Sequence, residues 1–239
     1  MLRTSFTLIT KRQLTHDVFE LIYSCENLSS EPPLAGQYVM FQLAPWLNRA
    51  YSLASFTLRW MNPSFTLIIK RIADGRGSPL ICDAEIGTVF HGMIPLGHFT
   101  LHNTKRAKCF IGTGTGFAPL YCQLLECSSS MDEIFNTRVG FIFGVRNLAD
   151  SFYENEFGRL GAQFKNFEYI QYFSRETRLE WRTLDQAFRR WYVTDWIISD
   201  NIEAYEEFYL CGSPAMVKDA RAKLESLGVK NENIYWEQF

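Results

Sequence analysis

The chain has 239 residues, 47% of them hydrophobic and 21% charged, with a formal net charge of -2. That balance suits a globular protein with a real core and argues against a nucleic-acid-binding surface as its main business. No apolar run approaches the ~18 residues of a membrane span, and residues 1–6 lead straight into strand-like alternation, so neither a span nor a signal peptide is expected and a cytoplasmic location is the default.

Residues 6–10 and 18–23 are rich in β-branched and aromatic side chains and predict two strands. Pro32, Pro33 and Gly36 break the chain, and residues 38–43, 49–55 and 65–71 predict three more strands. Short strands between turn signals point to a small barrel or sandwich. One helix interrupts it, with Ser78 expected at the N-cap and Pro79 at the first helical position. Gly77 and the nearby Lys70, Arg71 and Arg76 would suit a phosphate there, and a plain capped helix explains the same residues. Gly87, Gly92, Pro95 and Gly97 punctuate the last strands of this region.

Beyond about residue 105, strand patterns alternate with helical ones. Residues 107–111, 138–145, 167–172 and 207–211 read as strands; 116–125, 149–160, 184–190 and 214–227 read as helices. Such alternation predicts a parallel sheet with helices on both faces. The expected division is an antiparallel β-barrel over 1–103 and an α/β domain over 104–239.

Ligands of such sheets bind beyond the carboxyl ends of the strands. One end carries Gly112, Thr113, Gly114, Thr115 and Gly116, followed by a helical run. Glycines let a ligand approach the backbone, and the free N–H groups of a first helical turn suit a pyrophosphate. Pro119 is tolerated only in that first turn, which fixes the helix start just before it. The spacing is G-x-G-x-G, not the dinucleotide fingerprint G-x-G-x-x-G, so an ordinary glycine-rich turn stays open. Two further strand ends offer Arg146 and Arg175. An arginine fork suits a phosphate such as a 2′-phosphate, and each charge-assisted bond is worth ~1.5–3 kcal/mol. The alternative is exposed pairing with Glu154, Glu156 or Glu176, worth ~0–1 kcal/mol.

The six cysteines form no C-x-x-C. Cys122 and Cys127 open a C-x₄-C pattern without the next cysteine that an iron–sulfur cluster needs, so buried thiols are expected. His91, His98 and His102 lack a fourth ligand, and no metal is expected.

Three segments carry a family resemblance across nearly the whole chain. Arg49-Ala50-Tyr51-Ser52 resembles the R-x-Y-S flavin motif of the ferredoxin–NADP⁺ reductase family. Residues 112–120 resemble its pyridine-nucleotide loop, and Cys211-Gly212-Ser213-Pro214 its C-G-x-P motif. Phe143-Gly144-Val145-Arg146, Ser174-Arg175-Glu176 and Val193-Thr194-Asp195 resemble segments of the bacterial ferredoxin/flavodoxin reductase branch. The resemblance implies an FAD-binding barrel followed by an NAD(P)-binding α/β domain. It implies that Arg49 contacts the FAD pyrophosphate, Tyr51 stacks on the flavin and Ser52 reaches the ring near N5. Ile69, Lys70, Gly77 and Ser78 would hold the ribityl and pyrophosphate portions. Gly112, Thr113, Gly114 and Pro119 would bind the nicotinamide dinucleotide, with Cys211 beside the nicotinamide. Arg146, Ser174 and Arg175 would take the adenosine end, and Phe239 would either stack on the flavin or be a frayed end. Ser52 and Cys211 are thus the implied catalytic pair. Without the family, Tyr51 is barrel packing, Ser52 a strand hydroxyl and Cys211 a core thiol. The chain departs from the bacterial pattern at Trp191-Tyr192, where an arginine often precedes the V-T-D-like segment.

The implied activity is hydride transfer from NADPH, with NADH open, to FAD and then electron transfer to a separate ferredoxin or flavodoxin. An NADH-dependent reductase component of an oxygenase, a free-flavin reductase and a non-autonomous electron-transfer subunit are the alternatives.

Overall fold

A computed structural model describes residues 2–58, 63–129, 137–176 and 188–238. Six strands close a barrel: β1 (Leu2–Gln13), β2 (Val18–Ser24), β3 (Tyr38–Ala44), β4 (Leu47–Thr57), β5 (Ser64–Lys70) and β6 (Val89–Leu96). Their order is β1-β2-β5-β4-β3-β6, with β6 returning to β1 and every pairing antiparallel. Alternation drives this closure, because residues two apart share a face. Phe65, Leu67 and Ile69 of β5 point inward and are buried, as are Leu21 and Tyr23 of β2. Phe6, Tyr23, Phe41 and Phe65 meet at 5.1–5.4 Å between ring centroids. At Gly92 of β6 a Cβ would collide with the Met40 carbonyl oxygen, so a glycine lets β3 close onto β6. A short helix, α1 (Ser78–Cys82), lies between β5 and β6.

The second sheet is wholly parallel. It contains β7 (Lys108–Thr113), β8 (Val139–Val145), β9 (Phe167–Phe173), β10 (Phe188–Arg190), β11 (Glu207–Gly212) and β12 (Ile234–Gln238), in the order β10-β9-β8-β7-β11-β12. Every residue of β8 and β11 is buried, as expected of central strands covered on both faces. One face packs a run of aromatics from α2 (Phe117–Ser129), α3 (Glu154–Gly161) and the sheet. Phe117 meets Phe143 at 5.2 Å, and Phe157 stacks on Tyr169 at 4.2 Å. The other face receives Val217, Ala220 and Leu224 of α5 (Pro214–Ser226), which follows the short α4 (Ser199–Ile202), against Ile111, Ile142 and Leu210.

The chain divides into two compact units. One comprises Met1–Leu101 with Tyr121–Leu125, the other His102–Leu120 with Glu126–Phe239. The first therefore draws on the middle of α2, where Cys122 joins the barrel core and the buried Gln123 donates to the Phe99 carbonyl at 2.8 Å. Among the described residues no helix is long and apolar enough to cross a membrane.

Three expectations differ from this structure. Residues 188–190 are not helical: they extend the sheet beside β9, with Phe188 opposite Gln171, and residues 184–187 lie outside the described part. Residues 234–238 form the strand β12, which the sequence pattern did not predict. Ser78 is not the N-cap of α1. Gly77 holds that position, and the Ser78 hydroxyl accepts from the Ile72 amide at 2.9 Å.

Candidate functional site

In the second unit the strand order reverses between β7 and β11: the chain runs outward from β7 to β10, then crosses to the other side of β7. Such a reversal opens a crevice beyond the carboxyl ends of the two strands. Here those ends are Gly112 and Cys211, which face each other in the ladder. The backbone leaves β7 through a tight turn, Gly114–Gly116, and enters α2 at Phe117. Gly114 has φ +57°, and a Cβ there would meet nothing within 4 Å, so this glycine serves the turn. Gly116 serves close approach: a Cβ there would strike the Cys211 carbonyl and sit 2.7 Å from the Gly212 amide nitrogen. Gly212, at φ +153°, is pressed against the Thr113 hydroxyl in turn. Two glycine-bearing turns thus lock together at the switch point, with the first-turn N–H groups of a 13-residue helix beside them. Pro119 is buried at the third residue of that helix, and Gly114 is exposed.

Cys211 is fully buried, and burial followed by the charge of Glu237 holds its thiol well above the usual range. Such a thiol stays protonated and is not a thiolate nucleophile. Ser213 caps α5, accepting from the Met216 amide at 3.3 Å.

Arg146 and Arg175 end β8 and β9 side by side: the Arg175 amide donates to the Arg146 carbonyl at 2.8 Å. Both are exposed. Among the described residues neither makes an ion pair. Glu176 instead accepts from the Leu148 amide at 3.0 Å. Ser174 continues the ladder, its amide donating to the Val145 carbonyl at 3.0 Å. The next strand end is Trp191, whose amide donates to the Phe173 carbonyl at 3.3 Å. Its φ of +106° is rare for a bulky residue.

In the first unit, the ladder between β4 and β5 stops at Leu53 and Leu67. β4 nevertheless extends back to Leu47 and β5 on to Lys70. Residues 48–52 and 68–70 therefore present edges that are not paired with each other. Residues 48–50 are exposed and Tyr51 and Ser52 half-buried, whereas Leu53 and Ala54, where the ladder resumes, are fully buried. Tyr51 packs edge-on against Phe41 at 5.9 Å. Burial, then Cys82, pushes its hydroxyl up to about 12, so it stays protonated. The stem of the exposed Arg49 runs across Gly77, where a Cβ would sit 2.6 Å from Arg49 Cγ.

These positions bring Arg49, Tyr51, Ser52 and Gly77 into one region of the barrel. Ile69 and Lys70 lie on the facing strand β5. The Ile69 side chain is buried in the barrel core, so only its backbone can face a ligand. Lys70 is held by Asp17 at 2.6 Å. Phe239 lies outside the described residues. All six cysteines are buried and none forms a disulfide, and among the described residues no group of three or more His, Cys, Asp or Glu comes together as a metal site. The sequence reading gave no separate role to Gly116, whose spacing from Gly112 and Gly114 was the available signal. The parting of β4 from β5 left no mark that composition or periodicity could show.

Residues 110–222 match the sequence model of the oxidoreductase NAD-binding domain. Over 232 residues the chain is 27% identical to the toluate 1,2-dioxygenase electron transfer component of Pseudomonas putida, covering 95% of this chain and 65% of that protein. It is 25% identical to a Na(+)-translocating NADH-quinone reductase subunit of Pseudomonas aeruginosa, covering 90% and 56%. The chain thus spans about half to just under two thirds of the length of the curated relatives it matches. Among solved structures, cytochrome P450 reductase GcoB of Amycolatopsis superposes with a TM-score of 0.84 at 23% identity, covering all of this chain and 70% of that one. A ferredoxin NADP+ reductase from Neisseria gonorrhoeae with bound FAD and NADP gives 0.76 at 19% identity, covering 99% and 98%. The barrel and parallel sheet share the fold of these reductase structures, and the match to the NAD-binding model falls almost wholly within the second unit.

Proposed function

We propose that this chain, which shares the ferredoxin–NADP⁺ reductase fold, is an FAD-dependent NAD(P)H reductase that passes electrons on to a one-electron acceptor. The observation that carries this reading is the parting of β4 from β5 at residues 48–52, in a barrel that precedes an oxidoreductase NAD-binding domain. Two strand edges that part from each other beside a half-buried tyrosine suit a flat ring, and a glycine against which Arg49 lies suits a diphosphate passing close to the backbone. FAD fits these residues.

When bound, FAD accepts a two-electron hydride and can release electrons singly, which nicotinamide does poorly. The chain supplies binding and orientation. Tyr51 offers a ring face, and its neutral hydroxyl adds no charge. Ser52, the adjacent residue, can hydrogen-bond the ring near N5. Arg49 neutralises the diphosphate. In the second unit the amides at the start of α2 and the turn Gly114–Gly116 take the pyrophosphate of NAD(P)H, and the neutral Cys211 bounds the nicotinamide without competing as a nucleophile. Hydride transfer needs reacting atoms ~3–3.5 Å apart, so positioning is the protein's main contribution.

NADPH is the coenzyme we favour, because Arg146 and Arg175 stand together at the adenosine end and pair with no carboxylate among the described residues. The second reading, an NADH-dependent reductase component, is favoured by the relative named as an NADH-quinone reductase subunit and by Trp191-Tyr192 standing where the bacterial pattern has an arginine. Ferredoxin or flavodoxin is the proposed acceptor; the relative named as a dioxygenase electron transfer component makes an oxygenase system the alternative. Purified protein is expected to be yellow and to release FAD on denaturation, and stopped-flow reduction by NADPH against NADH reads the coenzyme choice. Colourless protein that fails to take up added FAD would overturn the proposal.

A further inference from the structure

The outer face of the barrel carries chemistry that a flavin site leaves unused. Side chains alternate along β3 and β6, so Phe41 and Ile94 turn inward while Met40, Gln42, His91 and Met93 turn out. The ladder sets Met93 between Arg3 of β1 and Met40 of β3, and His91 between Ser5 and Gln42. All six of these outward residues line one depression of about 430 Å³. Gly92 lies between His91 and Met93. A Cβ on it would collide with the Met40 carbonyl oxygen, so β3 and β6 press together beside the pair Met40 and Met93.

Residues directly opposite in such a ladder have β-carbons ~4.5–5.5 Å apart, and diagonal ones ~7–8 Å apart. Met40 is opposite Met93 and diagonal to His91. Two thioethers and one imidazole can therefore converge on a point between the two strands, and the unbranched methionine side chain adapts readily to such a point. Both methionines are half-buried and His91 is exposed, so the point is open to an ion from solvent.

What this trio would hold follows from ligand softness. Thioethers select Cu(I), whereas Mg²⁺ and Ca²⁺ require oxygen donors. Among the described residues that line the depression there is no carboxylate. Zinc asks for four nitrogen, thiolate or carboxylate donors, which His91 does not gather here. A soft closed-shell ion accepts fewer donors, and thioethers count among them. All three donors can be neutral, which suits a monovalent ion. Arg3 stands on β1, on the far side of Met93 from Met40, so it does not come between the donors.

We propose that Met40, Met93 and His91 form a surface site for a soft monovalent cation, Cu(I). The assignment stands independently of the flavin and nicotinamide readings, since none of the three residues takes part in them.

Protein as purified, labelled with carbon-13 at its methionine methyls, tests this in anaerobic titrations with Cu(I) supplied as its acetonitrile complex and with Ag(I), a redox-inert stand-in. The Met40 and Met93 methyl resonances should shift together along one saturation curve, while that of Met216, buried against the second sheet, stays in place. His91→Gln should weaken the ion by at least about tenfold, the smallest loss expected even when an outer partner of a metal site is removed. Met40→Leu combined with Met93→Leu should abolish the tight shift of the His91 ring. Leucine keeps the volume of methionine, so this double variant should unfold close to the parent temperature. Methionine methyls that ignore both ions, or a His91 shift that survives in the double variant at parent affinity, would overturn the site. So would displacement of the ion by Mg²⁺, or a His91 ring that responds to sulfate and to neither metal, which would mark an anion site.

Discussion

Arg175 shows what a single side chain can decide. It is exposed, adjacent to Arg146 and unengaged by any described carboxylate, so its charge is available to a ligand. A charge-assisted hydrogen bond to phosphate is worth ~1.5–3 kcal/mol. Arg175→Ala should accordingly raise KM for NADPH by about 10- to 100-fold while leaving KM for NADH nearly unchanged. Steady-state kinetics with both coenzymes checks it, and an equal effect on the two would remove Arg175 from the phosphate site. The residue types at the strand ends were legible in the sequence because arginine forks and glycine turns have few substitutes. The ion pair of Lys70 was not legible for a physical reason: its partner Asp17 comes from just before β2, and a pair between separate strands leaves no local signature.

Among the elements, the turn between β7 and α2 is the most constrained. Gly116 lies against the backbone of Cys211 and Gly212, where no side chain can move aside. Gly116→Ala should cost about 1–3 kcal/mol, the usual penalty of overpacking, and should weaken nucleotide binding as well, because the displaced backbone is the proposed cradle. Thermal unfolding and ADP-ribose titration of the same variant check both parts. By contrast, alanine at the open Gly158, where a Cβ meets nothing within 4 Å, should cost little. The strand–turn–helix order here was plain from glycine spacing and Pro119. The edge strands β10 and β12 were not. A three-residue strand holds too little pattern to reveal a period, and β12 alternates buried and open residues over only five positions.

At the scale of the whole molecule, the two-part architecture followed from the change in hydrophobic rhythm near residue 105. What ties the chain down there did not. Lys108 and Glu207 face each other across β7 and β11, 2% and 0% exposed, at 3.3 Å. Thr104 bridges them: its hydroxyl donates to Glu207 at 2.7 Å, and both its oxygens accept from Lys108. The cluster fastens residues 104–106 to the base of the second sheet. Removing Lys108 leaves the buried Glu207 with only the more distant Arg106 guanidinium, at 3.8 Å, and breaking a buried pair costs about 3–5 kcal/mol. Lys108→Met should lower stability by about that amount, and the pairing of Lys108→Met with Glu207→Leu should recover a large part of it. Denaturant titrations of the single and double variants measure the difference.

The parting of β4 from β5 also bears on how copies of this chain behave in a cell. Unpaired strand edges are templates for adding a foreign strand. A polypeptide that folds ahead of its flavin supply would present residues 48–51 and 68–70 as such templates, so the nucleotide would act as a solubility factor as well as a redox group. Expression in riboflavin-starved cells should shift the protein into inclusion bodies. Amide hydrogen exchange at residues 68–70 should slow when FAD is added to the stripped protein, and unchanged exchange there would separate the strand gap from the cofactor.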